Sequence, residues 1–318
     1  MSDKKYTSTV FIVIVIIVLI VVLGFIMGGS GESNVVVTDF DECVARGYPV
    51  LESYPRQCKT PGGETFTEDI GNELEKADLI RVESPRPNSL VNTNPVHITG
   101  VARGNWFFEA SFPIKVLDST GKIVGTGYAT ALDEWMTTNF VPFEAVVRLT
   151  EYGIRESQTK GTIILEKDNP SSLPENADEL RIPVKFPARD EVSGVQVYFG
   201  HKDLDDTNCE NVKAVEHGIA PKQAPAAPTL VALLAGPAPD EIQDGFFTSI
   251  PKSVKIQSLE IKNGVAYADF SKELEEGVGG SCRVINIRSQ IMKTLLQFPT
   301  ITGVVISIDG RTEDILQP

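Results

Sequence analysis

The stretch that decides the architecture of the C-terminal part of this chain runs from residue 254 to 310: VKIQSLEIKNGVAYADFSKELEEGVGGSCRVINIRSQIMKTLLQFPTITGVVISIDG. Its first run, Val254–Ile261, has strand character, and its apolar positions change phase at Gln257-Ser258, as a β-bulge requires. Asn263-Gly264 is a two-residue hairpin signal, since both residues tolerate the positive φ of a type I′ turn. The return run puts Ala266, Ala268 and Phe270 on one face. Gly279-Gly280-Ser281 then offers a flexible entry and an N-cap. Val284, Ile287, Ile291, Leu295 and Phe298 follow at spacings of 3, 4, 4 and 3, the stripe of an amphipathic helix. Pro299 ends it. A closing strand carries Val304, Ile306 and Ile308 on one face. A helix stripe beside sheet faces of this kind must bury one against the other.

Upstream, Gly194–Gly200 reads as a β run, followed by an acidic loop containing Cys209. Pro221–Pro228 then leads into a short helix expected at Thr229–Ala235. The expected order is βαββαβ, an α+β domain over 194–318. Residues 188–193 form a linker before it.

Residues 80–187 read as all-β. Ala110, Phe112, Ile114 and Val116 alternate with polar neighbours, and a turn at Asp118–Gly121 leads into Ile123–Leu132. Phe143, Ala145, Val147 and Leu149 alternate again. Further strands are expected at Val96–Val101, Gly161–Lys167 and Arg181–Phe186. About seven strands in this length suit a β-sandwich, without the antibody-type Cys…Trp…Cys pattern. Residues 69–79 are an acidic linker or short helix. Residues 38–68, bounded by Cys43 and Cys58, are too short to bury a core alone and read as a disulfide-stapled, hairpin-like knob. Residues 28–37 form a stalk.

The N-terminus sets the expected location. Lys4 and Lys5 precede an apolar run of 18 residues, Val10–Met27. As a helix it spans about 27 Å, close to the thickness of a bilayer core. Lysines on the short side predict a cytoplasmic tail at 1–9, a transmembrane signal anchor at 10–27 and an extracytoplasmic bulk. The rival reading is a cleaved signal peptide ending near Gly28-Gly29-Ser30, but the run exceeds the usual 7–15 residues of a signal core. The whole chain has 29 basic and 43 acidic residues; setting aside Asp3, Lys4 and Lys5 leaves 27 and 42, a net charge of −15. Such a surface disfavours nucleic acid as a partner. It equally serves simple solubility.

Cys43, Cys58, Cys209 and Cys282 lack the C-x-x-C spacing of a redox or zinc motif, and export makes disulfides the natural reading. Four cysteines allow three pairings, and the sequence does not choose. Cys43–Cys58 would close a short local loop; Cys209–Cys282 would then clip about 73 residues. A cross-pairing would contradict the module boundaries above.

Two stretches resemble known families. Residues 81–187 resemble the immunoglobulin-like domain of bacterial spore germination proteins, carried by VESPRPNSLVNTNPVHITGVARGNWFFEASFPIKVLDSTGKIVGTGYATA at 82–131. VQVYFG, TLVALLAGP, FFTSIP, most of 254–310 and GRTEDILQP resemble the sporulation and germination GerMN domain. The Cys43/Cys58 segment resembles a small Cys module found ahead of exported bacterial domains. These resemblances imply an exported envelope protein whose last domain has a fold similar to ring-building domains of envelope assemblies. They imply binding or scaffolding, supply no catalytic residues, and do not establish a role in sporulation.

The residues themselves offer little chemistry. His97, His201 and His217 lack the spacing of a metal or triad motif. Asp203–Asn211 (DLDDTNCEN) is rich in oxygen donors but fails the EF-hand pattern, so it reads as a solvated acidic loop. Gly277–Gly280 precede a helix bearing Arg283 and Arg288, an arrangement that suits an anion or simply admits the chain to the helix. Trp106, Phe107 and Phe108 are consecutive, so a regular strand would turn at least one ring outward toward glycan or protein. No catalytic residue, cofactor or metal ligand is expected. The expected function is a non-enzymatic envelope binding or scaffold protein, touching wall polymer or envelope proteins and self-associating. The alternatives are a carboxylate-dependent wall hydrolase and a small-ligand sensor.

Overall fold

The computed structural model describes residues 36–150, 152, 160–204, 208–221 and 223–317. The expected span at 10–27 lies outside these. Among the described residues no helix is long and apolar enough to cross a membrane. The chain divides into two units, one ending at Glu68 and one starting at Asp69.

In the first unit, helix α1 (Phe40–Ala45) starts because Asp39 accepts the Glu42 N–H at 2.8 Å. Strands β1 (Val50–Leu51), β2 (Gln57–Lys59) and β3 (Thr65–Thr67) form an antiparallel sheet in that order. Cys43 on α1 and Cys58 on β2 are joined in a disulfide. With Val37 and Phe40 they make the small core. The expected hairpin-like knob is thus a helix stapled to a three-stranded sheet. Asp39 and the acidic first turn were the legible signal for the helix.

The second unit opens with helix α2 (Glu73–Lys76) and strand β4 (Ile80–Ser84). Strand β5 (Thr93–Asn94) is short. The sandwich continues through β6 (Val96–Arg103), β7 (Ser111–Asp118), β8 (Ile123–Ala131), β9 (Phe140–Val147), β10 (Lys160–Glu166) and β11 (Glu179–Lys185). Seven of these run in the order β11-β10-β7-β8-β9-β6-β4. Alternation drives it: Val96, Ile98 and Ala102 on β6 and Phe112, Ile114 and Val116 on β7 point into one apolar core. The Trp106 region is not a strand. Gly104–Trp106 is a 3₁₀ turn that buries Trp106 and Phe107, leaving Phe108 42% exposed.

The α+β part comprises β12 (Ser193–His201), β13 (Lys213–Ile219), α3 (Ala226–Ala235), α4 (Pro239–Asp244), β14 (Phe246–Phe247), β15 (Ile256–Lys262), β16 (Val265–Phe270), α5 (Ser281–Leu296) and β17 (Gly303–Ile308). The order is therefore ββααβββαβ, richer than the expected βαββαβ. Strand β13 was missed because its inward positions include a histidine, His217, which breaks the apolar alternation. The hairpin at Asn263-Gly264 forms with φ of 51° and 81°, and the ladder shifts between Ile256 and Ser258 as the phase change predicts. Strand β17 runs parallel to β16, with α5 as the crossover. Helix α5 begins one residue earlier than expected: Gly280, at φ 88°, is the cap, and Ser281 is already helical. Val284, Ile287, Ile291 and Leu295 are buried, and each such side chain contributes about 1.5–3 kcal/mol.

Candidate functional site

The segment between sandwich strands β4 and β6 lends a strand to the α+β part. Thr93 and Asn94 of β5 pair with Ile219 and Gly218 of β13, extending the α+β sheet to the order β14-β12-β13-β5. Ala220 N–H donates to Asn92 O at 2.9 Å. The Asn94 amide in turn grips the end of the β9 segment, accepting from Leu149 N–H at 2.8 Å and donating to Leu149 O at 3.0 Å. Tyr152 donates its hydroxyl to Val91 O at 3.2 Å and packs its ring on Gly218. Burial pushes the Tyr152 phenol well above its ordinary pKa.

A buried charge cluster fastens the same junction. Glu241 on α4 is 3% exposed and His217 on β13 is 2% exposed. Glu241 accepts from Ala238 N–H at 2.8 Å, from His217 Nε2 at 2.9 Å and from Arg148 of the sandwich. Among the described residues His217 Nδ1 has no hydrogen-bond partner, and Nε2 carries the proton that Glu241 accepts. Arg148 also lies 2.7 Å from Asp240. Burial alone would raise the pKa of Glu241, but the His217 hydrogen bond and charge, the Ala238 N–H and the Arg148 charge outweigh it and hold the carboxyl below its ordinary 4.5.

Around this weld are grooves. One, of about 360 Å³, has Tyr128, Thr130 and Glu144 on the sandwich wall and Pro237, Ile242, Phe247 and Lys252 on the other. Tyr128, Ile242 and Phe247 are each roughly half or more exposed. A second groove, also about 360 Å³, is lined by Glu83, His97, Glu144, Leu234 and Lys255. Glu144 belongs to both. It pairs with Lys252 at 2.5 Å, and His97 Nε2 lies 4.0 Å from its other oxygen. Burial lowers the pKa of His97 below its ordinary value; Glu144 pulls it up and Lys252 pushes it down.

The residues singled out in the sequence divide. Cys209 and Cys282 are disulfide-bonded, and with Arg283, Asn286, His201 and Phe247 they line a cleft of about 330 Å³ at the start of α5. Arg283 is held there by donating to Ser249 O at 3.2 Å and Gly277 O at 3.0 Å. Arg288 faces elsewhere and donates to Ile315 O at 3.0 Å, tying down the C-terminal segment. Trp106 and Phe107 are buried in the sandwich, so of the three rings only Phe108 reaches solvent. His201 accepts the Asp203 N–H on Nδ1 and donates from Nε2 to Asp244 O at 3.1 Å. Among the described residues no group of three His, Cys, Asp or Glu side chains could hold a metal ion.

Residues 79–169 match the family described as the immunoglobulin-like domain of bacterial spore germination. Residues 196–314 match the family described as sporulation and spore germination. The chain carries a germination-type immunoglobulin-like domain followed by a GerMN-type domain. The first GerMN domain of the sporulation protein GerM from Bacillus subtilis is similar at 24% identity, covering 38% of this chain and 85% of that one, with a TM-score of 0.28. A putative lipoprotein from Clostridium perfringens is similar at 23% identity over 38% of this chain and 76% of that one, TM-score 0.25. The tandem GerMN domains of Bacillus subtilis GerM give 22% identity over 38% of this chain, 40% of that chain and a TM-score of 0.28. No curated protein matches the chain.

The weld between the immunoglobulin-like and GerMN-type domains was not found from sequence. Arg148, His217 and Glu241 are 69 and 24 residues apart along the chain. One local signal existed: Pro239 and Glu241 after Ala238 are the first-turn residues of a capped helix. It marks the helix start and says nothing of Arg148.

Proposed function

We propose that this chain is a non-enzymatic arm of the bacterial envelope. Residues 10–27 tether it to the cytoplasmic membrane with the N-terminus inside, and the welded domain pair contacts wall material or partner proteins outside. The observation that carries the reading is strand β5, lent by the sandwich segment to the α+β sheet, together with the buried Glu241 cluster. They make two domains into one continuous surface, which suits presentation and assembly. The polar groups near the junction support it further. His217 and His201, 2% and 4% exposed, are engaged in holding β13, α4 and the β12 end together. The families matched by both domains are germination and sporulation domains, and this favours a germination-related role.

The test is crosslinking in intact cells with photoreactive residues at Tyr128 and Ile242, on the exposed rim of the groove. Captured wall fragments or a defined envelope protein are expected. If the purified ectodomain also binds neither peptidoglycan nor any envelope protein, the proposal fails. The size of the two grooves at Glu144 favours a second reading, a small-ligand sensor, since ligand sites start at about 300 Å³. Thermal shift against muropeptides and amino acids checks it; stabilisation abolished by Glu144→Gln would favour it.

A further inference from the structure

The two disulfides occupy opposite surroundings. Cys43 and Cys58 are each 0% exposed. Cys282 is exposed and Cys209 half-buried, and both line the open cleft at the start of α5. We infer that Cys209–Cys282 is an exchangeable crosslink, opened and closed by a partner protein carrying a vicinal dithiol, while Cys43–Cys58 is permanent.

Exchange requires a thiolate to reach one sulfur and expel the other. The buried pair offers no such approach. The cleft does, and its far end supplies a good leaving group. Cys282 is the second residue of a 16-residue helix whose cap, Gly280, has no side chain to occupy the first N–H groups. A thiolate released there is favoured by those N–H groups and by the helix dipole. The partner's thiolate attacks Sγ of Cys209, the S–S bond breaks, and the electron pair leaves on Sγ of Cys282. The partner's second thiolate then attacks the mixed disulfide and expels Cys209. The partner dithiol is oxidised to a disulfide by two electrons, and its two protons end on Cys209 and Cys282.

The opened state is built to reclose. Asn286 on α5 donates its amide to Cys209 O at 3.1 Å and to Asn211 O at 3.2 Å, and its oxygen accepts the Ser249 hydroxyl at 2.9 Å. These bonds do not depend on the disulfide. They keep Cys209 beside the helix, so opening changes the cleft wall around Arg283 and Phe247 without releasing the loop.

Native protein is treated with graded dithiothreitol, quenched with iodoacetamide and digested for mass spectrometry. Cys209 and Cys282 are expected to label at reductant concentrations at least about tenfold below those that label Cys43 and Cys58, with unchanged circular dichroism. Joint labelling of all four, earlier labelling of Cys43 and Cys58, or labelling only with loss of the folded spectrum would overturn the inference. A thioredoxin whose resolving cysteine is replaced by serine is the second probe. A trapped mixed disulfide on Cys209 is expected; none, or one on Cys282, overturns the direction of attack.

Discussion

Glu241 is the residue whose loss the junction should feel most. It accepts from His217, Ala238 and Arg148 while 3% exposed. Glu241→Ala leaves the His217 Nε2–H buried without a partner and uncaps α4. Arg148 suffers least, because it keeps Asp240 at 2.7 Å and is about a third exposed. Removing one member of a buried ion pair costs about 3–5 kcal/mol; with Arg148 discounted, about 3 kcal/mol is expected. Glu241→Gln keeps one acceptor oxygen and loses the charge, so about 1.5 kcal/mol is expected. The pH dependence has a definite sign. The folded-state pKa of Glu241 lies below its ordinary 4.5, so its contribution is full above about pH 4.5 and is lost as pH falls through the folded value. Urea denaturation of the soluble fragment beginning at residue 28, at pH 7 and again below pH 4.5, measures both quantities. A cost below about 1 kcal/mol for Glu241→Ala would refute the reasoning. So would a Glu241→Gln variant that loses stability below pH 4.5 as steeply as the parent.

Three further outcomes are expected. Replacing Cys43 and Cys58 by serine should destabilise the first unit by about 3 kcal/mol, the chain-entropy value for the 15-residue separation, seen as early protease cleavage between 38 and 68. Gly71→Ala should cost about 3 kcal/mol in urea denaturation, because a Cβ would lie 1.9 Å from Arg181 O on a backbone at φ +67°. Tyr128→Ala and Ile242→Ser should leave stability within about 1 kcal/mol, since both side chains are more than half exposed. The same pair should lower capture of the envelope partner severalfold, read by quantitative crosslinking.

Periodicity made much of the fold legible. The bulge at Gln257, the Asn263-Gly264 turn and the stripe Val284–Leu295 are local patterns, and each appears in the structure at its expected place. The alternation of β6, β7 and β9 is equally local. What failed was non-local. β13 hides a histidine on its inner face, which only the distant Glu241 makes tolerable. β5 is two residues long and belongs by pairing to a sheet more than a hundred residues further on.

By itself, then, the sequence determined the strongly periodic elements and the family each domain resembles, because these follow from neighbours along the chain. Tertiary structure alone decided which cysteines pair, which aromatic rings reach solvent and where Arg283 and Arg288 point. It also decided that Arg148, His217 and Glu241 meet. Burying a charge requires partners that hydrogen-bond it, and those partners are supplied by whichever elements the fold brings together.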